Sequence, residues 1–135
     1  MMKPSAIVDA MMSKDSYSQW LGIEVLEIRE GFAKLQMTVR SEMANGFGIA
    51  HGGISFSFAD SAFAFASNSR GKHAVSTEVS ISHLSAIKVG DILTAESKEI
   101  KNGKQIAVYA ISISNQDNKL VAHFKGNVFK LDKEW

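Results

Sequence analysis

Two periods alternate along the chain. Apolar Ala33, Leu35, Met37 and Val39 alternate with Lys34, Gln36, Thr38 and Arg40, the two-residue period of a strand with one face on a core. The β-like run from Ile23 to Arg29, punctuated by Glu30-Gly31, completes a hairpin. Val75, Thr77, Val79 and Ile81 alternate in the same way with Ser76, Glu78, Ser80 and Ser82, predicting a third strand. Gly90-Asp91 opens a fourth, and Asn102-Gly103 predicts a type I′ turn into a fifth, Lys104 to Ser114. Asn115 to Asn118 then turns the chain into a sixth strand, Lys119 to Lys130, interrupted at Gly126. At the N-terminus Ala6, Ile7, Ala10 and Met11 recur at helical spacing behind Pro4, predicting an amphipathic helix to about Met12. Asp15 or Ser16 caps a further turn through Trp20, and Gly22 ends it.

One stretch follows a different rule. After a loop marked by Asn45-Gly46, Gly48 and Gly52-Gly53, residues Ile54 to about Ser67 are rich in Ala and Phe and apolar on every side, until Asn68 and Gly71 end the helix. A helix of that kind is surrounded by other structure. A flat sheet covers only one stripe of it, so the sheet must curl around the helix or a partner must cover the rest. The predicted order is short helix, hairpin, long buried helix and antiparallel meander, an α+β fold. Inside the helix sits one carboxylate, Asp60, whose ionised form is costly there without compensation.

With 135 residues and 45% hydrophobic content, the chain predicts a single domain over 1–135, with 1–20 as an N-terminal helical segment. Fifteen Lys and Arg stand against 14 Asp and Glu without a basic stripe, so no nucleic acid partner is expected. There is no cysteine, which removes disulfides and thiolate metal sites and suits a reducing cytoplasm. His73, His83 and His123 lack metal-ligand spacing and read as ordinary residues. Lys3, Asp9 and Lys14 break the N-terminal apolar run, so no signal peptide is predicted. The central helix falls short of the ~20 residues of a membrane span, and a soluble cytoplasmic protein is expected. Ser57 and Ser61 lie in no Gly-x-Ser-x-Gly elbow. The loop glycines lack the strand and Lys-Ser/Thr pair of a nucleotide-binding loop.

Asn45 and His51-Gly52-Gly53, followed by Ala59-Asp60-Ser61-Ala62-Phe63-Ala64 and Asn68, resemble the signature of the PaaI-type, phenylacetate-pathway thioesterases. Their hotdog fold wraps a long central helix in a curved antiparallel sheet of about five to six strands. Gly31-Phe32, Met37-Thr38-Val39, Gly90-Asp91, Gly103-Lys104 and Val121-Ala122 with Phe124 and Gly126 extend the resemblance over nearly the whole chain. It implies hydrolysis of an acyl-CoA thioester by water, with phenylacetyl or its ring-hydroxylated forms as the acyl group. It also implies no metal or redox cofactor, and a homotetramer assembled from dimers. By motif position Asp60 matches the catalytic carboxylate, Gly52 the backbone N–H that polarises the carbonyl, Asn45 a polar residue that helps hold it, and His51 a supporting histidine. Gly53, Phe47, Ser76, Thr77 and Leu84 are expected to contact substrate. Where the family has Phe-Leu-Arg-Pro after the third strand, this chain has His83-Leu84-Ser85-Ala86, losing a basic side chain that could hold a coenzyme A phosphate.

The chemistry also follows from the residues. Thioester hydrolysis needs an activated water or a nucleophile, and a donor for the developing oxyanion. Unpaired N–H groups at a helix start supply the donor, and Gly52 and Gly53 allow close approach. Asp60 supplies a general base or a nucleophile, and the sequence leaves both roles open. Each residue also has a plainer reading: glycines for helix entry, Asn45 in a turn, His51 as a cap, Phe56, Phe58, Phe63 and Phe65 in the core. Two rival functions use the same residues, an acyl-thioester hydratase or dehydratase with His51 and Asp60 as acid-base pair, and a non-catalytic thioester-binding module. Asp60 follows Gly52 by eight residues, roughly 12 Å along one helix, whereas a carboxylate acting through one water spans only a few ångströms. A two-fold dimer with neighbouring antiparallel helices would bring Asp60 of one chain toward Gly52 of the other.

Overall fold

A computed structural model describes residues 1–135. The N-terminal segment forms α1 (Pro4–Lys14) and α2 (Ser16–Leu21). Pro4 occupies the first turn of α1, where its missing N–H costs nothing. Asp15 caps α2 by accepting from the Ser18 N–H at 3.0 Å, and Gly22 ends it at φ 74°. The chain continues through β1 (Glu24–Arg29), β2 (Phe32–Thr38), α3 (Gly52–Asn68), β3 (Lys72–His83), β4 (Ile92–Asn102), β5 (Ile106–Ser114) and β6 (Leu120–Glu134). The strands form one antiparallel sheet in the order β1-β2-β4-β5-β6-β3. No helix is long and apolar enough to cross a membrane.

Three local expectations need correction. The last four strands are not a simple meander: β3 pairs only with β6, and β4 pairs with β2. Residues 84–91 carry the chain back across, tied by Leu84 N–H to Val121 O at 2.9 Å, Ala50 N–H to Ile87 O at 2.8 Å and Gly90 N–H to Val39 O at 2.8 Å. Alternation identifies a strand but not its neighbour. The predicted type I′ turn is also absent, since that turn needs positive φ at both central residues and neither Asn102 nor Gly103 has it. Instead Gly103 N–H donates to Ile106 O at 2.9 Å, and β5 starts at Ile106 rather than Lys104. Lys130 on β6 captures this loop, its Nζ donating to the Asn102 side chain and to Gly103 O, its N–H to Gln105 O. Finally, Gly126 does not interrupt β6, which runs unbroken to Glu134.

Alternation places one face of each central strand on α3. Ala33, Leu35 and Met37 of β2, Leu93 and Ala95 of β4, Tyr109, Ile111 and Ile113 of β5, and Phe124 and Val128 of β6 are all buried. They enclose Phe58, Phe63 and Phe65 of the helix in one core cluster. On the opposite side α2 covers α3, with Ser18 Oγ 2.8 Å from Ser61 Oγ and Tyr17 Oη 3.1 Å from Ser57 Oγ. Asn68 locks the C-terminal end, giving its amide to Ala64 O and Ala74 O and accepting from Ala74 N–H and Trp135 Nε1. Gly126 lets the ring of Phe63 lie against β6: a Cβ there would stand 2.7 Å from Phe63 Cζ and 2.9 Å from Val79 Cγ1. Gly126→Ala should therefore destabilise the fold by about 1–3 kcal/mol in urea melts. Combining it with Phe63→Leu should recover part of that loss.

Candidate functional site

The loop before α3 is built around Asn45. Its Oδ1 accepts from the N–H groups of Phe47 at 2.9 Å and Ile49 at 3.4 Å, and its own N–H donates to Ile49 O at 2.7 Å. Two backbone donors fix the amide with oxygen toward the loop. Nδ2, the donor end, takes no acceptor from this chain. The turn role of Asn45 therefore occupies only the oxygen end of its amide and leaves the donor end free.

The helix start can be accounted for donor by donor. His51 is the N-cap, and its Nδ1 accepts from the Gly53 N–H at 2.8 Å. His51 N–H donates to Met43 O and Ile54 N–H to His51 O. The Gly52 N–H is left without an acceptor, at the positive end of the α3 dipole. It opens on a cleft of about 380 Å³ lined by Asn45, Gly52, Ser55, His83, Leu84 and Ile87, among others. Of the anticipated residues, the cleft gathers Asn45, Gly52 and Leu84. His51 and Gly53 sit beside it, engaged with each other, so His51 acts here as a cap, with one ring nitrogen already committed.

Asp60 lies elsewhere, two helical turns along α3 and outside the cleft lining. Gly53, Ser57, Asp60 and Ala64 are all half-buried, and their spacing places them on one line along the helix. This is the stripe that neither the sheet nor α2 fully covers. Burial, and then the nearby Asp15 carboxylate, push the Asp60 carboxyl above its ordinary value of 3.8. Phe47 stands out on its loop, 90% exposed. Ser76 and Thr77 are exposed on β3, where a bulge between Ser76 and Glu78 breaks the register and Thr77 Oγ1 donates to Asn127 O at 3.3 Å. Among the other cleft residues are Ser55 and His83, to which the sequence assigned no catalytic or binding role. The only signal for His83 was the departure from Phe-Leu-Arg-Pro at its position.

Comparison with known proteins agrees with this architecture. Residues 47–122 match the model of the thioesterase superfamily. The acyl-coenzyme A thioesterase PaaI of Escherichia coli is 43% identical over 122 residues, 90% of this chain and 87% of its own length. A solved structure of the E. coli PaaI protein, from the phenylacetic acid degradation operon, superposes at TM-score 0.95 over 97% of this chain and 95% of that one, with 40% identity. A putative esterase of Archaeoglobus fulgidus is 42% identical over 129 residues, 96% of this chain and 84% of its own. A structure of a hypothetical thioesterase protein from Streptococcus pneumoniae with coenzyme A superposes at TM-score 0.80 and 26% identity over 84% of this chain and 91% of its own.

The raised Asp60 carboxyl fixes the sign of a stability prediction. Below 3.8 the group is neutral in folded and unfolded chains alike and costs nothing. As pH rises from 3.8 through the higher folded value, the unfolded chain releases the proton first, and stability falls. Asp60→Asn should therefore be more stable than wild type in neutral-pH denaturant melts, with the difference closing as pH drops below 3.8.

Proposed function

The chain belongs to the thioesterase superfamily, and from that premise we propose that it hydrolyses phenylacetyl-CoA or a ring-hydroxylated form of it to the free acid and coenzyme A. It is an acyl-CoA thioesterase of the PaaI type with a hotdog fold; the acyl group, the residue roles and the assembly are our reading. The observation that carries the roles is the separation of donor from carboxylate. Gly52 offers an unpartnered N–H in a cleft with Asn45, and Asp60 stands on the same helix roughly 12 Å away.

In this reading the thioester oxygen accepts from the Gly52 N–H, with the Asn45 amide as a second donor, so that charge developing on oxygen meets fixed dipoles. Asp60 of a second subunit either takes a proton from the attacking water or attacks the carbonyl itself. Two features favour such a dimer. β3 is one of the two terminal strands of the sheet, with its outer edge unpaired. The Asp60 stripe of α3 is left half-buried along its length. Two-fold pairing along these features makes two shared sites per dimer, and we propose a homotetramer of such dimers. Phe47, Gly53, Ser76 and Thr77 then contact substrate only across the subunit boundary. Leu84 contacts it within one chain. The reaction so written uses water, a carboxylate and backbone and amide donors, with no metal or redox cofactor. A chain without cysteine suits the reducing cytoplasm, the compartment we propose.

Thiol release across a panel of acyl-CoA esters tests this reading. Phenylacetyl-CoA should give the highest kcat/KM of the panel, and Asp60→Ala should lower kcat by about 10²-fold or more. Preference for a straight-chain acyl group would remove the aryl assignment, and an unchanged kcat in Asp60→Ala would remove the carboxylate.

A further inference from the structure

Ser55, His83 and Ser85 are polar cleft residues that the mechanism above leaves idle, and the first two are in contact. His83 ends β3, paired with Ala122, and sets its Nδ1 3.3 Å from the Ser55 hydroxyl. Ser55, almost fully buried, donates that hydroxyl to the Gly52 carbonyl at 3.1 Å. A serine hydroxyl carries one proton. With the proton committed to Gly52 O, Ser55 meets His83 only as an acceptor, so the hydrogen between them belongs to Nδ1. Proton exchange is thereby confined to Nε2. That nitrogen faces the critical glycine: a Cβ built on Gly52 would stand 3.2 Å from Nε2 and 3.3 Å from Cε1. The Gly52 corner of the cleft thus holds an unpartnered N–H and, beside it, a ring nitrogen able to gain or lose a proton.

We infer that His83 is a catalytic acid in the hydrolysis, the Nε2–H of its imidazolium protonating the coenzyme A sulfur as it leaves, with Ser55 as the positioning residue that keeps Nδ1 a donor and turns Nε2 toward Gly52. The inference rests on the thioesterase reading above. A thioester oxygen on the Gly52 N–H places its carbon one bond and its sulfur two bonds from that oxygen, beside His83. When the tetrahedral adduct collapses, the carbon–sulfur bond breaks and its electron pair goes to sulfur. The Nε2 proton moves to that sulfur, giving the thiol and a neutral imidazole, which solvent reprotonates. The step is the same whether water or Asp60 formed the new carbon–oxygen bond.

Leaving-group dependence tests the assignment, because a thiol of low pKa departs without an acid. The two substrates are phenylacetyl-CoA and the phenylacetyl ester of nitrothiophenol, a far more acidic thiol. His83→Phe should lower kcat on the CoA ester by about 10²-fold and on the aryl thioester by less than about 3-fold. His83→Gln, close in size but unable to release a proton, should show the same split if the phenylalanine variant does not fold. Ser55→Ala should show the split in weaker form. Asp60→Asn should lose both substrates, which separates failure of the thioesterase reading from failure of the His83 assignment. Equal losses on the two substrates in the His83 variants, or wild-type kcat on the CoA ester, would overturn the proposal.

Discussion

The structure depends on burying a helix that has no polar face. No residue of α3 between Gly52 and Asn68 is exposed, and a single flat sheet cannot achieve that. The sheet therefore bends around the helix, every strand touching it, and α1 and α2 pack on it as well. Fine adjustments follow from the same demand. Gly126 gives up a side chain so that Phe63 can approach β6, and the hydroxyls of Ser18 and Ser61 pair where α2 meets the helix. At the far end Arg70, just past α3, makes a two-point ion pair with Glu99 of β4, which also accepts from the Tyr109 hydroxyl of β5. Burial alone would raise the Glu99 carboxyl. The hydrogen bonds from Arg70 and Tyr109 outweigh it and hold the group below its ordinary value.

What the fold leaves uncovered is as informative as what it buries. Of the donors in the first turn of α3, those on Gly53 and Ile54 are taken up by His51, and the one on Gly52 is not. Along the same helix, Asp60 sits on a stripe that stays half-buried, its carboxyl pushed above its ordinary value by burial and then by Asp15. Each is an incomplete arrangement within one chain. In the proposed mechanism a second copy supplies the missing half of each, so the proposed chemistry and the proposed dimer stand on the same two residues.

Much of this was legible in the sequence, for physical reasons that also mark where legibility ended. The inward alternation of β2, the Asp15 and Gly22 boundaries of α2 and the all-round apolarity of α3 are local patterns, and each appears in the fold as anticipated. The Asn102-Gly103 turn looked equally local but was overridden by Lys130, which reaches the loop from a strand remote in sequence. The place of β3 beside β6 likewise depends on a tertiary choice that alternation does not encode. At the site, Asn45 and Gly52 announced themselves as a glycine-loop motif and do share one cleft. His83 did not, because the role proposed for it comes from Ser55 and Gly52, neighbours that only the folded chain brings within reach.

The central claim is that one site draws its donors from one subunit and its carboxylate from another. Mixing Asp60→Ala and Asn45→Ala subunits after co-refolding tests it directly, because a mixed dimer contains one site with both residues intact. Thiol release should return to about a quarter of wild type in an equimolar mixture, half the dimers being mixed and half their sites complete. A mixture no more active than the average of the two separate variants would contradict the claim and return the site to a single chain.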